Sequence, residues 1–156
     1  MALLTNRMTE YLDEAGVDYE IVHHKLDFTA QRAAADTHTP GRAFAKTVVL
    51  KTPEGFALAV IPAHLKIDFG KTHDLLGPDI HLADETDIAR LFPDCEVGAE
   101  PPIGQLYGLP VYLAPDFADD AYITFNGGTH HEAIRMRYDK FADLVDHTIV
   151  DLCWRR

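Results

Sequence analysis

The chain has 156 residues, 47% of them hydrophobic and 25% charged, with a net charge of −11. That length supports one core without a disulfide or metal staple, and the charge opposes non-specific binding of nucleic acid. There is no serine anywhere in it, which excludes Ser-His-Asp hydrolases, Ser-Lys amidases and GxSxG esterases.

Leu4, Met8, Tyr11, Leu12 and Ala15 recur at helical spacing and Gly16 follows, so the chain opens on an amphipathic helix. Nothing in this opening reads as a secretory signal, and no apolar run reaches the roughly 18 residues of a membrane span. Tyr19–His23 alternates as a strand. Thr29 is placed to cap a short helix over Ala30–Ala35, broken at Thr39-Pro40-Gly41. Lys46–Lys51 is a strong β run, Pro53-Glu54-Gly55 a turn, and Phe56–Ile61 the returning strand.

Asp68 is placed to cap a helix through Leu76, stopped by Gly77-Pro78. Asp84 is placed to cap another carrying Ile88, Leu91 and Phe92. Asp87 stands where a capping box would carry Glu or Gln. Pro93 to Pro110 is irregular, with four prolines and three glycines. Strands are expected at Val111–Leu113, Ala121–Phe125 and Ala133–Arg137. A last helix from Asp139 to about Asp146 would bury Phe141, Leu144 and Val145. Strands and helices mix without regular βαβ alternation, and no repeat or linker divides the chain. The expectation is one α/β domain around a mixed sheet or partly closed barrel.

Charge is uneven. Residues 79–120 hold ten acids against Arg90 alone, whereas residues 21–75 hold seven bases against five acids. One part of the surface is thus able to meet a polyanion that the rest repels, although a solvated acidic surface accounts for the same counts. No phosphate loop and no GxGxxG fingerprint is present, which disfavours Walker-type nucleotidases and Rossmann dehydrogenases.

Three places have chemical promise. Lys46 opens an apolar strand directly after Phe44-Ala45, where an ammonium either snorkels to solvent or stands at the rim of a pocket, attracting phosphate or polarising a carbonyl. Gly98-Ala-Glu-Pro-Pro102-Ile-Gly104 is a glycine-proline loop. Its glycines allow backbone close to a ligand and its prolines stiffen the path between them; long irregular loops in compact domains are often binding loops. Asn126-Gly127-Gly128-Thr129 reads as a hairpin turn with His130 and His131 at its exit. His130 shares parity with the apolar Ile134 and Met136, so it is the histidine expected to face inward, as a core group or in a pocket. Ile61, Phe44 and Ile103 fit either a core or a pocket wall.

Metal chemistry is the weaker reading. Despite nine histidines, no HxxxH, HExxH or CxxC spacing occurs. With only Cys95 and Cys153, a disulfide framework is not expected and a reducing cytoplasm is the expected compartment. Nothing beside Cys95 would activate it as a thiolate.

Taken in order, the Tyr-Glu-Ile-Val-His strand, the Ala-rich segment, Phe-Ala-Lys-Thr-Val-Val-Leu, Leu-Ala-Val-Ile-Pro-Ala, Gly98-x-x-x-Pro102-x-Gly104 and Asn-Gly-Gly form a series. It resembles the YbaK/ProX family, free-standing relatives of the prolyl-tRNA synthetase editing domain, from about Tyr19 to Val145. The resemblance implies a mixed α/β fold with a central barrel-like sheet and an aminoacyl-tRNA deacylase acting in trans, without cofactor or metal. It implies that Lys46 is the family's lysine, Gly98 its loop glycine and Gly128 its late glycine. His130 matches a histidine seen in some members only. By extension Thr47, Pro102, Gly104, Asn126 and Gly127 are expected at the substrate.

The implied partner is the 3′-acceptor end of a tRNA carrying a wrong small amino acid such as alanine or serine, with tRNA-Pro as one carrier. A synthetase is a second partner to consider, no membrane is involved, and a monomer is the default. An aminoacyl ester is already activated, so placed water and a stabilised oxyanion suffice without serine. Amides around Gly98 and Gly128 are the expected carbonyl donors. Two other readings remain: a non-catalytic module that binds a ligand or partner, and a tRNA-independent hydrolase of small esters.

Overall fold

In the computed structural model of the chain, residues 6–23 and 43–155 are described. The elements are α1 (Asn6–Ala15), β1 (Tyr19–His23), β2 (Phe44–Thr52), β3 (Gly55–Pro62), α2 (Phe69–Leu76), β4 (His81–Leu82), α3 (Glu85–Leu91), β5 (Val111–Leu113), β6 (Tyr122–Thr129), β7 (Glu132–Arg137), α4 (Tyr138–Leu144) and β8 (Thr148–Ile149). The short helix expected over residues 30–35 lies outside the described residues.

Local chemistry sets most boundaries. The Asp68 carboxylate accepts the Lys71 amide at 3.0 Å and starts α2; Gly77, at φ 118°, ends it. The Asp84 carboxylate accepts the Asp87 amide at 2.7 Å. Asp87 turns forward to Arg90 at 2.8 Å, so half of a capping box forms. The last helix runs from Tyr138 to Leu144, one residue earlier at its start and two earlier at its end than the sequence predicts, and Val145 caps it in extended conformation.

Eight strands form one mixed sheet in the order β1-β7-β6-β2-β3-β5-β8, with β4 also on β2. β2 and β3 are an antiparallel hairpin closed at Thr52↔Gly55, so the turn is Pro53-Glu54 and Gly55, expected in the turn, already belongs to β3. β6 and β7 are antiparallel, while β6 pairs with β2 in parallel, Phe44 opposite Thr124 and Ala45 opposite Phe125. β4 and β8 are two exposed residues each, too short to show any periodicity in the sequence.

The main core takes Ala45 and Val49 from β2, Leu58 and Val60 from β3, Phe125 from β6, Phe141 from α4 and Met8 and Leu12 from α1. Smaller clusters, Phe44 with Ala63 and Ala133, and Leu50 with Ala59, Ile80 and Leu152, carry alternate β2 residues. The strand is thus packed on both faces. Phe44, Ile61 and Ile103 are all fully buried core residues.

One sequence expectation fails. Asn126-Gly127-Gly128 is not the hairpin turn; it lies inside β6, and the turn falls at His130-His131. The ladder with β7 shifts between Asn126 and Thr129. Gly128, at φ 99°, donates its amide to the Ala99 carbonyl at 2.9 Å, and its carbonyl accepts the Glu96 amide at 2.8 Å. The glycines make a bulge that pairs with the 96–99 loop instead of reversing the chain.

Candidate functional site

The parallel pairing of β2 with β6 positions the candidate residues. The parallel ladder ends at Ala45↔Phe125, and Lys46 and Asn126 are the next residue on each strand, alternating to the face away from Ala45 and Phe125. Two residues further, Gly128 holds the 96–99 loop through the bonds just described. Lys46, Asn126, Gly128 and the glycine-proline loop are therefore strung along adjoining strand ends. Thr47 alternates to the other face, with Ala45 and Val49, so the strand separates it from Lys46.

Lys46 is half-buried. Desolvation holds its ammonium below the ordinary lysine range; the neighbouring Cys153 sulfur opposes that shift and the Lys66 charge reinforces it. Asn126 is 7% exposed, and its amide oxygen has no hydrogen-bond partner among the described residues. The Thr47 hydroxyl is likewise buried and unpartnered among them. Such groups cost about 1–3 kcal/mol each when left unmade, and they are the kind of group a substrate satisfies.

His130 is 4% exposed and packs directly on the loop. Its Nε2 lies 2.7 Å from the Val97 carbonyl. A carbonyl only accepts, so Nε2 carries a proton and donates it to Val97. The His130 amide donates to the Glu96 carboxylate at 2.7 Å. A Cβ built on Gly98, whose φ is 93°, would stand 3.1 Å from His130 Cε1. Glycine at 98 is thus needed for both backbone conformation and room for the imidazole. His131 is only partly buried, with Nε2 at 4.0 Å from Glu132.

The amides of Gly98 and Gly128 are both engaged inside the protein: Gly98 donates to Glu100 Oε1 at 2.8 Å and Gly128 to Ala99. In this arrangement they do not offer the free N–H pair expected for a substrate carbonyl. The groups beside them with unmet capacity are side chains. Pro102 and Gly104 are buried. A Cβ at Gly104 would meet the Leu109 carbonyl at 2.1 Å and Val111 Cγ2 at 2.7 Å, so this glycine serves close packing at the loop's far end. Gly127 is buried in the bulged part of β6.

Sequence reasoning missed Glu96 and Glu100. Glu100 is 4% exposed. Burial raises its carboxyl above the ordinary range, while the Gly98 amide, its own amide and the His130 charge pull the other way. The only signal was the position of this acid inside Gly-Ala-Glu-Pro-Pro, a place where charge has little access to water. Cys95 is chemically quiet, since burial pushes its thiol up to about 12. Among the described residues, no group of three His, Cys, Asp or Glu side chains is placed to hold a metal ion. No described helix is long and apolar enough to cross a membrane.

Residues 24–144 match the sequence profile of the aminoacyl-tRNA editing domain. No curated protein sequence matches the chain. Among solved structures, a scaffold from computational grafting of linear epitopes is 24% identical, with a TM-score of 0.84 over 96% of both chains. A candidate trans-editing enzyme for prolyl-tRNA synthetase is 22% identical, with a TM-score of 0.83 over 98% of this chain and 100% of that one. At such identities the likeness establishes the fold, and the profile match reaches further.

Proposed function

The chain belongs to the aminoacyl-tRNA editing domain family, and from that premise we propose that it is a trans-acting deacylase. It hydrolyses the ester between a small, wrong amino acid and the 3′-terminal adenosine of a tRNA. Alanine and serine are the first candidates, and tRNA-Pro the first carrier. The observation that carries this reading is the β2–β6 register. It leaves Lys46 and Asn126 as the next residue on each strand, and β6 runs on from there to the bulge that meets the loop of Gly98 and His130.

The chemistry follows from what the ester needs. Water must be deprotonated as it attacks, and the carbonyl oxygen gathers negative charge. Lys46, short of solvent, is the cation that meets that charge or the terminal phosphate; low local polarity strengthens either contact. The Asn126 amide supplies a neutral polar contact to the aminoacyl or ribose group. His130, held by its Nε2–H bond to the Val97 carbonyl, orients the water. A ribose hydroxyl beside the ester is a second group able to guide the water. Selectivity for a small acyl group rests on pocket shape, since hydrocarbon differences alone give only about 1–3 kcal/mol.

The deciding experiment incubates the protein with a panel of mischarged tRNAs and with the matching free aminoacyl esters. Hydrolysis of one or a few charged tRNAs above the uncatalysed rate supports the reading. No hydrolysis of any of them would favour a binding module, and equal rates on the free esters a hydrolase indifferent to tRNA.

A further inference from the structure

Away from the glycine-proline loop, a cavity of about 800 Å³ is lined by His64, Leu65, Lys66, Trp154 and Arg155. It is assembled by a strap of the C-terminal chain. Cys153 pairs antiparallel with Ile67, the Trp154 amide donates to the Lys66 carbonyl at 2.8 Å, and the Asp68 amide donates to Leu152 at 2.8 Å. Lys71 Nζ clamps the strap from the side, donating to the Cys153 carbonyl at 2.7 Å and the Asp151 carboxylate at 3.1 Å.

So much anchorage would ordinarily hide an indole, yet Trp154 is 53% exposed. An aromatic face open to water on an anchored backbone is available as a stacking platform. Beside it, Arg155 is committed to Asp116 and Asp151. Lys66 is exposed, and among the described residues no carboxylate lies within ion-pair distance of it. Lys66 and Cys153 are both near enough to Lys46 to act on its charge. Lys46 stands opposite Ile61 in the β2–β3 ladder, and the segment that supplies His64, Leu65 and Lys66 begins just past Pro62, where β3 ends, so the cavity lies at the lysine's end of the hairpin.

We infer that this cavity holds an unpaired nucleotide of the RNA acceptor end, its base stacked on Trp154 and its phosphate on Lys66. The inference rests on the reading that the chain acts on aminoacyl-tRNA, and it names the part of that substrate gripped outside the reacting centre. It also answers the difficulty of the acidic surface. One stacked base and one phosphate contact need no basic patch, only a local cation and a flat ring.

Trp154 is the only tryptophan in the chain, so its emission reports on this cavity alone. The test titrates the protein with an uncharged CCA trinucleotide, with uncharged tRNA and with AMP, following tryptophan emission and, for the variants, anisotropy of labelled CCA. Quenching by CCA and tRNA is expected, with AMP much weaker. Trp154→Leu should bind CCA about tenfold more weakly, the loss expected for one base stack, and Trp154→Phe should recover part of it. Lys66→Ala should weaken binding and lower the salt slope by about one.

RNA binding without a change in emission, or Lys66→Ala binding like wild type, overturns the inference. Deacylation of a mischarged tRNA with unmoved emission sinks this inference and leaves the proposed function standing. Quenching by CCA with no ester hydrolysis across the panel does the reverse.

Discussion

Gly98 leaves 3.1 Å between the place where a Cβ would stand and Cε1 of His130, so a side chain there would push the imidazole back by a few tenths of an ångström. Gly104, six residues on, is far tighter, 2.1 Å from the Leu109 carbonyl. Gly98→Ala should cost about 1–3 kcal/mol for its left-handed backbone and displace the imidazole, so activity falls further than stability explains. Gly104→Ala should cost about 3 kcal/mol or more through overpacking, with any folded fraction retaining normal turnover. Thermal melts alongside single-turnover deacylation separate the two; equal specific activity in both variants would place neither glycine at the site.

Lys46→Met should lower deacylation by at least about 100-fold, the range for losing one charge-stabilising donor. It should leave the melting temperature equal or higher, because a partly desolvated ammonium disappears. His130→Ala should lower turnover by a similar or larger factor. Full activity in both Lys46→Ala and His130→Ala would refute these assigned roles.

Asn126→Ala removes a buried amide whose oxygen has no partner among the described residues. Its cost to stability should stay under about 1 kcal/mol, because little satisfied bonding is lost. Its cost to substrate binding should be the larger one. Denaturant melts and KM values read the two separately, and a large stability loss with unchanged KM would make Asn126 a structural residue.

Glu100 gives a signed pH prediction. Burial raises its carboxyl above the usual 4.5, so the folded protein keeps this proton to higher pH than the unfolded chain. Between pH 4.5 and the raised value the native state binds more protons, and stability contributed here falls as pH rises. Glu100→Gln still accepts the Gly98 amide but never ionises. The stability difference, variant minus wild type, should therefore grow from pH 4.5 toward 7 in urea melts. A flat difference means that the carboxyl titrates alike in both states.

Burial pushes the Cys95 thiol up to about 12 and the Cys153 thiol up to about 11. Both should resist an aromatic disulfide reagent at pH 8 in the folded protein, and two thiols should react once guanidinium unfolds it. Rapid reaction of one thiol in the native state would show a thiolate that burial does not suppress.

The hairpin of β2 and β3, the caps Asp68 and Asp84 and the strand at Val111 could all be read from the sequence, because period-two alternation and short polar caps act locally. The Asn-Gly-Gly segment could not. Its turn chemistry is genuine, but the loop at 96–99 competes for the same backbone groups and wins, a pairing between residues about thirty positions apart. Glu100 was invisible for a related reason: an acid becomes unusual only when folding removes its water. Lys46 and His130 were legible as residues, whereas the parallel β2–β6 register that relates their strands is one no local pattern encodes. The strap that presents Trp154 rests on one bridge and a few bonds, below any periodic signal.

Because odd positions of β2 hold up the interior while Lys46 looks the other way, length errors and substitutions should have opposite consequences in this strand. Replacing Lys46 retunes what the protein grips and leaves the packed positions on either side of it alone. Adding or deleting a single residue near Ala45 would rotate everything beyond it by half a turn, driving the cation into the main core. Variants selected for altered preference should therefore accumulate point changes here, and insertions should be confined to the Pro53-Glu54 turn.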